Sequence, residues 1–366
     1  MKDVVVVGAG KIGSMIAEFL GGCGDYAVTV IDRSAAQLDR LETSAAISKV
    51  AADITQGEEL RNLLRGKFAV LSAAPYYATR LIAEAAKSAG AHYLDLTEDV
   101  ASTRAVKQLA AGARTAFIPQ CGLAPGFITI VASDLASHFD ALNDVRMRVG
   151  ALPKFPSNAL NYNLTWSTDG VINEYCEPCE AIVNGHLKET QPLEELEEFS
   201  LDGILYEAFN TSGGLGTLCE SLAGKVRNLN YRTIRYPGHA AIMKALLNDL
   251  RLRDRRELLK DILENAVPIT LQDVVIVFVT VSGMRAGQLM QETYANKIYA
   301  APIGGRVRSA IQITTAGGIC AVLDMLSAGE LPQAGLIRQE EIKLKAFLAN
   351  RFGQVYAMTA PAAVGA

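Results

Sequence analysis

Four consecutive valines at positions 4–7 run directly into Gly8-Ala9-Gly10-Lys11-Ile12-Gly13. A continuous apolar, β-branched run suits a parallel strand buried on both faces. The glycines that follow have the spacing G-x-G-x-x-G, and Ile12, Ile16, Phe19 and Leu20 then recur at helical spacing. A strand, a glycine turn and a helix in that order leave few folds open. Gly8 permits the tight turn, Gly10 lets backbone approach a pyrophosphate, and Gly13 lets the helix pack on the strand. The helix start at Lys11 and Ile12 offers free N–H groups and a positive dipole end to the anion. A Rossmann-type dinucleotide site is therefore expected at Gly8, Gly10, Lys11, Ile12 and Gly13.

The alternation continues to about residue 135. Strands are expected at 27–31, 47–51, 68–72, 93–96 and 116–119. Helices are expected after Ser34, over 78–89 with Gly90 closing it, and at 101–111. Repeated βα units imply a doubly wound parallel sheet with right-handed crossovers. From about residue 143 the pattern changes. Residues 145–149 read as a half-exposed strand, 189–198 as a solvated acidic segment, and 206–238 as a loop-built pocket rich in Gly, Asn, Thr and aromatics. Helices at 240–250 and 257–264, strands at 269–282 and 288–299, and a helix at 315–326 follow. The expected fold class is α/β: a Rossmann domain over 1–135, completed by a C-terminal helix and its continuation at 315–350. A second α+β domain on a mixed sheet would occupy 136–314. The tail at 360–366 is expected to fray.

Composition narrows the function classes. Thirty-five basic against 39 acidic residues give a net charge of −4, which argues against sequence-independent nucleic-acid binding. No secretory h-region and no membrane span are visible in the sequence, so a cytoplasmic protein is expected. The six cysteines are scattered and do not suggest a disulfide framework. Cys176-Glu177-Pro178-Cys179 has no second C-x-x-C to complete a zinc set, and no metal is expected.

Asp32 ends the second expected strand, where a carboxylate can accept from the adenosine ribose hydroxyls and repel the extra phosphate of NADP. Arg33 works against that repulsion, and the balance favours NAD. Asp53 is placed either on the adenine edge or as a helix cap. Ala73, Ala74 and Pro75 end the fourth strand with small residues that allow cofactor close to the backbone.

Taken together, VVVVGAGKIG, AADIT (51–55), SAAPYY (72–77), YLDLTED (93–99) and QCGLAPGF (120–127) resemble the saccharopine dehydrogenase family. NTSGGLGTLCESLAGKVRNLNYRTIRYPGH (210–239) is similar to its lysine 6-dehydrogenase branch, and TTAGGICAVLDML (314–326) to the family's closing helix. The resemblance implies NAD-dependent oxidative deamination of the ε-amine of L-lysine to a semialdehyde that cyclises to a piperideine carboxylate. It also implies a two-domain cleft enzyme that forms a homodimer through its second sheet.

That chemistry sets requirements. Hydride leaves carbon only when the adjacent nitrogen offers a lone pair, and lysine's ammonium has a reference pKa near ~10.4. A base is required, with Asp95, Glu98 and His239 as candidates. The α-carboxylate needs a cation. A planar guanidinium suits it, and the resemblance places Arg235 in the substrate pocket, with Arg227 and Arg232 as alternatives. Tyr76, Tyr77 and Cys121 are expected to wall the nicotinamide side. Two other functions fit the same motifs. One is a saccharopine or carboxynorspermidine-type reductase, which would want a second cation cluster opposite Arg235. The other is a non-catalytic NAD-binding or sensing protein.

Overall fold

The computed structural model describes residues 1–357 apart from Glu42, Ser44 and Gln56, so the tail at 360–366 lies outside the described residues. Strands β1 (Lys2–Val7), β2 (Tyr26–Asp32), β3 (Ser48–Ala51), β4 (Ala69–Ser72), β5 (His92–Asp95) and β6 (Ala116–Ile118) form a parallel sheet ordered β6-β5-β4-β1-β2-β3. Helices α1 (Lys11–Gly22), α2 (Ala35–Asp39), α3 (Gly57–Leu64), α4 (Thr79–Ala89) and α5 (Val100–Ala110) link them. The valine run does what its composition demands. Val4 and Val6 join the core that holds Met15 and Ile16 of α1, while Val5 and Val7 join the core on the opposite face with Leu60 and Ile82. Ser34 caps α2 by accepting from Gln37 N–H, and Gly90 ends α4 at φ 72°, where a side chain would be strained.

A π-helical turn at Leu123–Phe127 and α6 (Ile128–Ala136) carry the chain to a second sheet. There the elements are β7 (Ala141–Pro153), α7 (Thr168–Cys176), β8 (Cys179–Val183), β9 (His186–Thr190), β10 (Glu197–Leu201) and β11 (Ile204–Asn210). They continue with α8 (Leu218–Ser221), β12 (Val226–Arg235), α9 (His239–Lys244), α10 (Arg256–Ala266), β13 (Asp273–Arg285) and β14 (Gln288–Tyr299). The main path runs β10-β11-β12-β7-β13-β14. β12 and β7 are parallel and the other neighbours antiparallel, which makes the sheet mixed. Helix α11 (Ala310–Ser327) then packs against α1 and β13, and a short strand at Gly335–Leu336 pairs with β6. By length and composition α11 could cross a membrane, but its residues are largely buried in the core between the two sheets.

Several expectations are corrected. Residues 206–238 are not mainly loop: they contain most of β11 and all of β12. These strands bury polar side chains: Thr233 and Arg235 face the cleft between the sheets, while Glu207 accepts from Gly238 and Ala240 N–H at the start of α9 and Asn210 donates to Thr190 and Gln191. Residues 145–149 are the buried middle of β7, flanked on both sides, with Arg146 the exposed exception. Residues 189–198 are largely exposed, as expected, but they contribute to edge strands β9 and β10 and bury Leu193 between them. The closing helix starts at Ala310 rather than 315, because Ser309 and Gln312 form a reciprocal capping box five residues earlier.

Candidate active site

A cleft of about 240 Å³ opens between the two sheets. Its cofactor side is made by Ile12 at the start of α1, Ala73-Ala74-Pro75-Tyr76 after β4, Leu96-Thr97-Glu98 after β5 and Gly122-Leu123-Ala124 after β6. These are the carboxyl ends of parallel strands, where open α/β sheets bind ligands. The far side comes from Val149–Ala151 of β7, Tyr231, Thr233 and Arg235 of β12, and Trp166, Asp169 and Glu174 in and before α7.

The glycine turn fits a dinucleotide. Gly8 has φ 107°, and a Cβ there would press on the Ala73 carbonyl at 2.7 Å, so β1 and β4 approach only because it is glycine. Gly10 faces open space with nothing within 4 Å of a notional Cβ. Asp32 is locked beside the turn: Oδ2 accepts from Ala9 N–H and Oδ1 from Ser34 N–H, both at 2.9 Å. Each oxygen keeps a lone pair for a ribose hydroxyl. Arg33 next to it is exposed. Asp53 is also exposed and its carboxylate accepts from the backbone and hydroxyl of Thr55, so it serves its own turn. Replacing Asp32 by glycine should weaken NAD binding by roughly tenfold, the scale of a charge-assisted hydrogen bond, and improve NADP relative to NAD. Equilibrium titration of both cofactors checks this, and unchanged affinities would remove Asp32 from the ribose site.

The candidate bases separate sharply. Asp95 is buried and accepts from Gln120 N–H at 2.8 Å, Thr97 N–H at 3.1 Å and the Tyr93 hydroxyl at 2.9 Å. It braces the turn that holds Glu98 and does not line the cleft. His239 is 1% exposed, lies behind Arg235 and also does not line it. Glu98 does. Asp99 beside it caps α5 through Ser102 N–H, and Glu98 lies against Gly170 of α7. Burial pushes the Glu98 carboxyl up to about 7.

Glu174 was not anticipated from sequence, where nothing around it forms a motif. It lies on α7, and burial first, then the Glu98 charge, pushes it up to about 8. Among the described residues neither Glu98 nor Glu174 has an ion-pair partner, whereas Asp169 is paired with Lys260 at 2.7 Å. Arg235 is the cleft's cation, 3% exposed at the end of β12. The alternatives lie elsewhere: Arg232 is paired with Glu195 and Glu197, and Arg227 bonds to Asn184 at an exposed edge.

Tyr76 lines the cleft, but Tyr77 is 69% exposed and turned away from it. Cys121 is buried with its thiol donating to the Ile118 carbonyl, and the Gln339 amide reaches it from behind. Burial holds that thiol well above its usual range, so it is a packed core group rather than a cleft wall.

Glu174 makes a stability prediction. Its folded pKa of about 8 lies above the ordinary 4.5, so the folded state holds the proton more tightly than the unfolded chain. That contribution is fully present below about pH 4.5 and is lost as pH rises through about 8. Glu174→Gln should match the parent at pH 5 and be more stable by ~1–3 kcal/mol at pH 9. Thermal melts of ligand-free protein at both pH values test this. A constant gap between the two proteins would contradict it.

Comparison with known proteins agrees with this arrangement. Residues 4–117 match the model of the saccharopine dehydrogenase NADP binding domain and residues 122–352 that of the saccharopine dehydrogenase C-terminal domain. The chain belongs to the saccharopine dehydrogenase family. It is 22% identical over 321 residues to the mitochondrial alpha-aminoadipic semialdehyde synthase of Bos taurus, covering 81% of this chain and 33% of that protein. With the Rattus norvegicus protein of the same name it shares 22% identity over 194 residues, 50% of this chain and 21% of the relative. The chain thus spans a fifth to a third of the length of these curated relatives.

Its fold matches saccharopine dehydrogenase (L-Glu forming) of Saccharomyces cerevisiae with a TM-score of 0.78 at 16% identity, over 93% of this chain and 94% of that one. A homospermidine synthase of Legionella pneumophila in complex with NAD gives 0.69 at 13% identity, over 98% and 90%. The family match and the cleft place the glycine turn and the carboxyl ends of the parallel strands on one side of a shared space, as a dinucleotide-binding fold requires.

Proposed function

We propose that this member of the saccharopine dehydrogenase family is an NAD-dependent dehydrogenase for a diamino monocarboxylic acid, with L-lysine as the substrate. The charge inventory of the cleft carries the reading. One buried guanidinium, Arg235, faces the same space as two carboxylates without an ion-pair partner among the described residues, the half-buried Glu98 and the buried Glu174. Lysine brings the complement: one carboxylate and two amines. A saccharopine-type secondary amine brings further carboxylates, and Arg235 is the one Lys or Arg lining the cleft among the described residues.

Arg235 would take the α-carboxylate and Glu174 the α-ammonium. Glu98, on the cofactor side, would take a proton from the ε-ammonium. NAD, when bound, supplies the acceptor for the hydride leaving Cε. The proton lost from nitrogen and the two electrons leaving with hydride convert the amine to an iminium. Water adds at that carbon, and ammonium departs to leave the aldehyde. Trp166, Tyr231 and Tyr76 offer apolar surface to the methylenes between the charged ends. Asp32 would favour NAD: held beside the glycine turn, its carboxylate would accept from a ribose hydroxyl and repel a 2′-phosphate.

The test follows the absorbance of reduced cofactor with L-lysine and NAD, with saccharopine, and in reverse with lysine, 2-oxoglutarate and NADH. Turnover of lysine alone with ammonia release supports the reading. Turnover confined to the saccharopine couple would overturn it, and cofactor binding with no turnover on any amine would favour the sensing function.

A further inference from the structure

Arg235 stands on a chain of hydrogen bonds whose directions are each forced by the one before. His239 opens α9, and its Nδ1 lies 2.9 Å from the Leu160 carbonyl oxygen. A carbonyl can only accept, so Nδ1 carries the proton and Nε2 presents a lone pair. The Tyr175 hydroxyl lies 3.1 Å from Nε2 and must point its one hydrogen there. That leaves the Tyr175 oxygen free to accept, and Arg235 Nε donates to it at 3.0 Å.

The rest of the guanidinium is equally confined. Nη1 donates to the Ile234 carbonyl at 2.9 Å, and the group lies 5.0 Å from the Tyr162 ring centre and 5.9 Å from that of Tyr175. The His239 ring is itself stacked on Phe209 and set edge-on to Tyr162 and Tyr175. Neither His239 nor Tyr175 lines the cleft. Burial and the Arg235 charge push the His239 imidazole down to about 3, so it stays neutral at any working pH. A neutral acceptor can end this chain without repelling the arginine, which a second cation could not do.

We infer that His239 is a positioning residue, acting through Tyr175 to lock the guanidinium plane of Arg235 so that its remaining edge meets the substrate carboxylate. This rests on the substrate reading above. It reassigns His239 from base to scaffold. A bidentate grip depends on orientation, so a guanidinium free to turn would bind carboxylate less well while leaving chemistry at the distant carbon nearly untouched.

The experiment compares the 366-residue chain carrying His239→Phe, His239→Gln, Tyr175→Phe and the Tyr175/His239 double Phe variant. All are assayed with NAD on lysine and on cadaverine, which lacks the carboxylate. His239→Phe should raise the lysine KM about tenfold, the scale of one hydrogen bond to a charged group, with kcat changed no more than about threefold. Cadaverine parameters should hold, and the acid limb of the pH profile should stay in place. His239→Gln, whose side-chain oxygen can accept from Tyr175, should recover most of the loss. The double variant should be no worse than the poorer single, because both act through one path.

Equal losses on lysine and cadaverine, or disappearance of the acid limb in His239→Phe, would overturn the inference. Nitrogen NMR of the wild-type imidazoles, assigned with His239→Gln, gives a readout independent of substrate. An Nδ1–H tautomer with an accepting Nε2 is expected, and an Nε2–H tautomer refutes the chain outright. If the wild type fails to oxidise lysine, the substrate reading falls while this spectrum still decides the relay.

Discussion

Replacing Arg235 with alanine should lower kcat/KM for lysine by a factor between about 30 and several thousand. That range corresponds to ~2–5 kcal/mol for truncating one partner of a buried, hydrogen-bonded charge pair. The guanidinium is 3% exposed, and two of its three nitrogens are tied to Tyr175 and Ile234, so little ordering remains to be done when a carboxylate arrives. The reacting carbon lies at the other end of the substrate. Arg235 therefore works through remote binding energy and alignment rather than through bond-making. NAD affinity should be nearly unchanged, because the glycine turn and Asp32 lie on the other side of the cleft.

Arg235→Lys should recover only part of the loss, since an ammonium cannot reproduce a planar fork. Cadaverine is the control: the parent should use it poorly and the Ala variant should lose little more. Equal damage on both substrates would mean that the arginine holds the cleft together. A secondary effect has a definite sign. The Arg235 charge lowers the Glu174 pKa, so its removal should move the Glu174 titration to higher pH.

Glu98→Gln should cost a comparable factor, roughly 10²–10⁴ in kcat/KM, the usual contribution of a positioned general base. The pH dependence gives the sharper test. As a base Glu98 must be ionised, and burial sets its pKa at about 7. Activity of the parent should therefore rise with pH through about 7 and keep rising as the substrate ammonium, near ~10.4, begins to deprotonate in solution. In Glu98→Gln the limb near 7 should vanish, leaving only the rise toward the amine's own pKa. The glutamine keeps the shape and removes the charge, so folding should be preserved in a site that already favours the neutral acid. Survival of the limb near 7 in that variant would assign the base elsewhere, with Glu174 the next group in the cleft.

The valines, the glycine spacing and Asp32 were sufficient to read the dinucleotide half, because each constraint there is local. A strand buried on both faces must be apolar throughout, a tight turn must have glycine at φ 107°, and the acid must fall at the next strand end. Caps at Ser34 and Gly90 are likewise set within a few residues. The substrate half resisted because β11 and β12 bury polar side chains, and periodicity rules equate burial with apolarity.

Proximity to a motif also suggested roles it could not decide. Asp95, Cys121 and His239 sit within the segments that resemble the family, yet their side chains turn away from the cleft, into a brace, a core and a relay. Glu174 has no sequence signal at all. The sequence alone determined the elements of the dinucleotide half and the cofactor turn. Only tertiary packing decided which charged groups meet, since Glu98, Glu174 and Arg235 come from a β5–α5 turn, α7 and β12, whose convergence depends on how two sheets close around one space.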